Sequence, residues 1–142
     1  MKRLFSITGL LVLLAVCQAQ GTATLTVTID KLGSSQGQLL IALFNSPDGF
    51  PEAGAIAFRS QKSGIEEDSV TVCFSDLPPG IYAVSFVHDR NMNEQLDKNM
   101  GIPAEKYGVS NNVRMGFGPP KFEEAKFCLG RNDTSIYIIP AF

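Results

Sequence analysis

VTVCFSDLPPGIYAVSFVH, residues Val70–His88, is the stretch on which the fold turns. Val70, Val72 and Phe74 alternate with Thr71 and Cys73, a period of two that puts the apolar side chains on one face of a strand and Cys73 on the other. Leu77-Pro78-Pro79-Gly80 has the chemistry of a tight turn. Ile81–His88 then runs as IYAVSFVH, apolar on both faces apart from Ser85. Together the two runs predict an antiparallel pair.

The same signal recurs on either side. In Gly21–Asp30, Leu25, Val27 and Ile29 alternate with Thr24, Thr26 and Thr28, as in a strand with one face in the core. Gly33-Ser34-Ser35 turns the chain, and Gly37 marks a bulge or a close approach of backbone. Gln38–Phe44, QLLIALF, is apolar on both faces, as in a central strand covered from both sides. Asn45–Ser69 is the hardest region to read. Asn45–Gly49 is a turn, Phe50-Pro51 anchors its return, Ala53–Phe58 is a short strand or helical turn, and Gln61–Asp68 reads as polar turn. Farther on, Val113–Phe117 and Phe122–Leu129 are short strand candidates, with a helical turn as the alternative at Glu123–Lys126, and Thr134–Ile139 closes the domain. Six or seven short strands without a long helical pattern make an all-β fold, a small two-sheet antiparallel β-sandwich with one long ordered polar loop.

Lys2 and Arg3, the apolar run Ile7–Val16 and the small-residue end Val16-Cys17-Gln18-Ala19 read as a secretory signal over residues 1–19, followed by one β-sandwich domain over residues 20–142. The run is short for a membrane span, so the mature chain is expected not to be transmembrane. Periplasm or extracellular space is the expected address. An acylated Cys17, anchored to the outer membrane, is the alternative, and Val16 directly before the cysteine counts against it. Without Lys2 and Arg3, 10 basic residues face 14 acidic ones, a net charge of −4. That gives no basic footprint for nucleic acid, and the absence of Trp removes the best stacking platform. Cys73 and Cys128 are an even pair in a chain read as exported, which suggests one disulfide worth about 2–4 kcal/mol.

The loop that opens off this strand, HDRNMNEQLDKNMGIPAEKYGVSNN (His88–Asn112), carries the functional candidates. Asp89, Asn91, Asn93 and Asp97 fall at the first, third, fifth and ninth positions of a calcium loop, where alternate oxygen side chains can point at one centre. Glu94 stands where such a loop has its glycine, and Met100 where it has its bidentate acid. Glu105 would close a differently shaped site over residues 89–105. The competing reading is an Asx-rich loop that satisfies its own backbone. His88, the lone histidine, shares a face with Tyr82, Val84 and Phe86, and suits a hydrogen bond that holds the loop. With Asp89 and Ser110 it also supplies the residue types of a hydrolase, although Ser110 sits in no nucleophile-elbow context. Tyr107, Ser110, Asn111 and Asn112 form a second polar cluster. It would either organise the loop or line a ligand site.

The ordered string Leu77-Pro78-Pro79-Gly80-Ile81-Tyr82, His88-Asp89-Arg90-Asn91-Met92-Asn93, Leu96-Asp97, Gly101-Ile102-Pro103-Ala104-Glu105 and Tyr107-Gly108-Val109-Ser110-Asn111 resembles an uncharacterised family of bacterial exported proteins, known only as a domain of unknown function (number 2141). The likeness runs from about Thr24 to the C-terminus and implies an envelope address with no established activity. The family's pattern has glycine where this chain has Glu94 and an aromatic where it has Val109. At the level of fold, the Pro-Gly-x-Tyr turn resembles prealbumin-like sandwiches, with an immunoglobulin-like sandwich as the other form. The expectation is an exported non-enzymatic binding or structural module of the bacterial cell envelope. Its partner would be an envelope protein, a glycan or a small polar ligand. A calcium-binding module is the alternative, with calcium as its cofactor, and a hydrolase around His88 is the second alternative.

Overall fold

The alternation in the first strand carries straight into structure. In the computed structural model, which describes residues 21–114 and 116–142, β1 (Ala23–Ile29) buries Leu25, Val27 and Ile29 and turns its threonines outward. Residues 1–19, and with them the secretory segment and Cys17, lie outside the described residues. The remaining strands follow as β2 (Gln38–Phe44), β3 (Arg59–Gly64), β4 (Val70–Leu77) and β5 (Gly80–Asp89), then the two-residue β6 (Lys98–Asn99) and β7 (Ile102–Pro103), β8 (Tyr107–Val109), β9 (Phe127–Leu129) and β10 (Thr134–Ile138). One helical turn, α1 (Phe122–Ala125), precedes β9.

Two sheets face each other. The first has the order β10-β1-β4, and the second has the order β3-β2-β5-β8 with β9 also paired to β5. Inward side chains of both, among them Leu25, Ile41, Phe74, Val84, Phe86 and Leu129, share one buried core. β10 runs parallel to β1. The strands of the second sheet pair antiparallel. A second apolar cluster covers the outer face of the second sheet at one end, where Phe44, Ala83 and Val109 meet Phe122 and Ala125 of α1. This is why QLLIALF and IYAVSFVH are apolar on both faces. Phe50 stacks edge-on between Phe44 and Phe122, at 5.3 and 5.8 Å, and anchors the return of the Asn45–Gly49 turn. Among the described residues, no helix is long and apolar enough to cross a membrane.

The expected hairpin at Leu77–Gly80 is corrected. β4 pairs with β1, whereas β5 pairs with β2, β8 and β9, so the Pro-Pro-Gly link carries the chain from one sheet to the other. Both strands put their alternating apolar residues into the same core, but from opposite sides of it. The prolines bring no N–H to a ladder, and Tyr82 Oη donates to the Pro78 carbonyl at 2.7 Å to hold the corner.

Two other readings change. The polar run Gln61–Asp68, read as turn, begins inside β3, an edge strand exposed on most of its length, so its sequence has no alternation to display. Arg59 and Gln61 of this strand reach across to the Ser75 and Cys73 carbonyls of β4, closing that side of the sandwich. Of the expected strand Val113–Phe117, the described residues 113, 114, 116 and 117 lie in no named strand, and the place beside β5 is taken by Tyr107–Val109.

The expected disulfide is not formed: Cys73 and Cys128 are both free and exposed. Cys73 points outward from β4 in the first sheet. Cys128 lies opposite exposed Ile81 on the outside of the second sheet. The sandwich stands between the two thiols.

Candidate functional site

The long polar loop is rooted where β2 and β5 end. Gln38 pairs with Asp89, and Gly37 passes so close that a Cβ there would lie 2.2 Å from the Asp89 carbonyl oxygen. Its φ of +85° also lies in the left-handed region that glycine accepts. His88 is buried, with Nε2 2.7 Å from the Gln36 carbonyl, so this nitrogen carries the proton and donates. His88 therefore ties the strand end to the β1–β2 connection, the loop-holding role read from its face parity.

Asp89 is fully buried and organises the first half of the loop. Its carboxylate accepts from Asn93 N–H at 3.1 Å, Glu94 N–H at 2.8 Å and Gln38 Nε2 at 2.8 Å. Burial pushes this carboxyl up, but the bonds from Gln38 and the Glu94, Asn93 and Met92 amides outweigh it and hold Asp89 below the ordinary aspartate range. Glu105, also buried, accepts from Arg90 N–H at 2.9 Å and Asp97 N–H at 3.1 Å, so it closes the loop from the other end. Between them, Asn91 and Asn93 donate their amides to Asp97 at 2.6 and 2.8 Å.

Asp89, Asn91, Asn93, Asp97 and Glu105 are thus brought together as expected. The Asn91 and Asn93 side-chain oxygens accept from the Asn93 and Gln95 N–H groups, in Asx-turn fashion. Among the described residues, no group of three or more His, Cys, Asp or Glu side chains is placed to hold a metal ion. Glu94 sits at φ +64°, in the left-handed region that glycine accepts more readily. Its carboxylate is paired with Lys62 of β3.

The second cluster is a clamp. Ser110 Oγ accepts from Val84 N–H at 2.9 Å and donates to the Ala125 carbonyl at 2.6 Å. Asn111 donates to the Glu124 and Lys126 carbonyls at 3.0 and 2.9 Å, fastening α1. Asn112 makes both halves of a peptide-like pair with β10, donating to the Tyr137 carbonyl and accepting from Ile139 N–H. His88 Nε2, Asp89 and Ser110 bond to these backbone and Gln38 partners rather than to one another, and His88 Nδ1 is buried without a partner.

Beyond the root, Lys98–Pro103 forms a two-strand flap turning at Met100-Gly101, whose φ values of 50° and 80° suit a tight hairpin connection. A cavity of about 790 Å³ lies between this flap and the outer face of the second sheet. Leu40 opposite Val87 and Ala42 opposite Ser85 form its floor. Ala53–Ala55, the flap and Gly116–Pro119 form its walls, and Tyr107 lines one side. Burial and the nearby Glu52 carboxylate both push the Tyr107 phenol above its ordinary pKa, leaving a neutral hydroxyl. Lys62–Glu94 and Lys98–Glu52 are ion pairs at the rim, the latter at 2.7 Å. Sequence reading missed this cavity because its floor comes from the second, outward-facing register of strands whose other face is core. The one available signal was the apolar character of QLLIALF on both faces.

These features define an all-β sandwich whose polar loop walls a partly enclosed surface cavity. The chain belongs to the family described as "Uncharacterized protein conserved in bacteria (DUF2141)", whose profile matches residues 27–137. No curated protein and no solved structure matches the chain.

Proposed function

We propose that the protein is an exported, non-enzymatic binding module of the bacterial cell envelope, and that it takes a small amphipathic ligand in the cavity beneath the flap. The cavity itself carries this reading. Its volume of about 790 Å³ lies within the range of roughly 300–1,000 Å³ usual for small-molecule sites, with an apolar floor and a few placed polar groups. The non-enzymatic part is supported by Ser110 Oγ and His88 Nε2, which bond to backbone carbonyls and not to each other. Export is supported by the N-terminal charge and apolar run.

N-phenyl-1-naphthylamine, an uncharged amphipathic dye that brightens in apolar surroundings, tests the cavity. Wild-type protein should bind it saturably, and Leu40→Trp, which fills the floor, should weaken binding roughly tenfold or more, the factor made by about 1.4 kcal/mol of lost contact. Equal binding by both proteins, or none by wild type at saturating dye, overturns the reading.

A second reading keeps calcium at the loop, and it rests on one observation. Asp89 and Glu105 are buried carboxylates whose hydrogen-bond partners are all uncharged. On that reading, calcium at about 100 times its dissociation constant adds roughly 2.7 kcal/mol and raises the thermal midpoint above that measured with chelator. An unchanged midpoint up to millimolar calcium leaves the network self-contained.

A further inference from the structure

The flap is tied to the cavity wall by an ion pair, Lys98–Glu52. Its tip is apolar yet unpacked, with Met100 96 % and Ile102 64 % exposed. At its root, the Ala104 N–H to Asp97 carbonyl bond of 2.7 Å and the Asp97 N–H to Glu105 bond fix the base. Above that base, Lys98 reaches Glu52 on one wall of the cavity, while the Glu94–Lys62 pair lies on the root side of Asp97. All four of these side chains are partly exposed, so both pairs are open to screening by salt.

We propose that the hairpin Lys98–Pro103 is a gate over the cavity, held shut by the Lys98–Glu52 pair, so that ionic strength governs ligand entry. The inference rests on the cavity being the ligand site. Shut, the gate is fastened to Glu52, on a wall that shares no strand pairing with it. Open, it swings on the stretch between Asp97 and Ala104 while the Asp89–Glu105 network keeps the root in place. The exposed apolar tip fits this arrangement, because packing would hold the gate regardless of salt, whereas a charge clasp releases it.

Two readouts on wild type and on the Glu52→Gln variant test the gate. The first is hydrogen exchange of the 98–104 amides. The second is the association rate of N-phenyl-1-naphthylamine, whose lack of charge keeps the rate from sensing the lysines directly. The variant should exchange these amides faster and bind the dye about twofold to fivefold faster, the change that loss of an exposed ion pair implies. Wild type should approach the variant's rate as salt rises, while the variant should hardly respond. Exchanging the charges, Lys98→Glu with Glu52→Lys, should restore wild-type behaviour. Unchanged exchange and unchanged rates, with dye binding intact, overturn the gate and leave the cavity reading standing. Failure of wild type to bind the dye defeats the cavity reading, and the gate with it, whatever the exchange shows.

Discussion

Gly37→Ala should lower the stability of the domain by about 2–5 kcal/mol. Left-handed backbone at a non-glycine residue accounts for about 1–2 kcal/mol of that. Forcing a methyl into filled space accounts for about 1–3 kcal/mol. The clash is with main chain, since the Cβ would stand 2.2 Å from the Asp89 oxygen and 2.6 Å from Arg90 Cα. Neither can rotate away, so β2 and β5 must part at the point where the polar loop begins. With no Trp in the chain, far-ultraviolet circular dichroism in urea is the suitable measurement. A midpoint equal to wild type would mean that the strands do not approach at Gly37.

Asp89→Ala should cost about 3 kcal/mol or more, because a hydrogen bond to a charged group contributes about 1.5–3 kcal/mol and the Glu94 amide and Gln38 side chain both lose theirs. Acid should act on the same group. The Asp89 carboxyl is held below its ordinary range in the folded protein, so its stabilising contribution is complete above the unfolded value of about 3.9 and is lost as pH falls through the folded value. Urea midpoints taken from neutral pH down through that range should fall more steeply for wild type than for Asp89→Asn. Parallel curves for the two proteins would show that Asp89 carries no such linkage.

The strands that could be read in the sequence are those with one face in the core. Leu25-Val27-Ile29, Val70-Val72-Phe74 and the buried face of Thr134–Ile138 all announce themselves by alternation. β3 did not, because an edge strand with Ser60, Gln61 and Lys62 exposed is held by backbone bonds to β2 that leave no trace in side-chain type. The sheet change at Pro78-Pro79 was hidden for a related reason. Strands on opposite sides of one core show the same alternation as strands side by side. The candidate residues of the loop were legible from composition, since Asp, Asn and Glu at short intervals must satisfy or be satisfied by something. Which oxygens turn to backbone amides was not, because that depends on the chain path through Met92, Glu94 and Met100, each at positive φ. The cavity was the least legible of all, since it exists only when segments around residues 40, 54, 87, 102 and 117 meet.

Occupancy of the cavity is tested most directly by proton–nitrogen correlation spectra of the labelled protein titrated with N-phenyl-1-naphthylamine. The amides of Leu40, Ala42, Ser85, Val87 and Gly101 should shift together and saturably, while those of β1 and β10 in the opposite sheet stay in place. Shifts confined to the first sheet, or none at saturating dye, would contradict a ligand site beneath the flap.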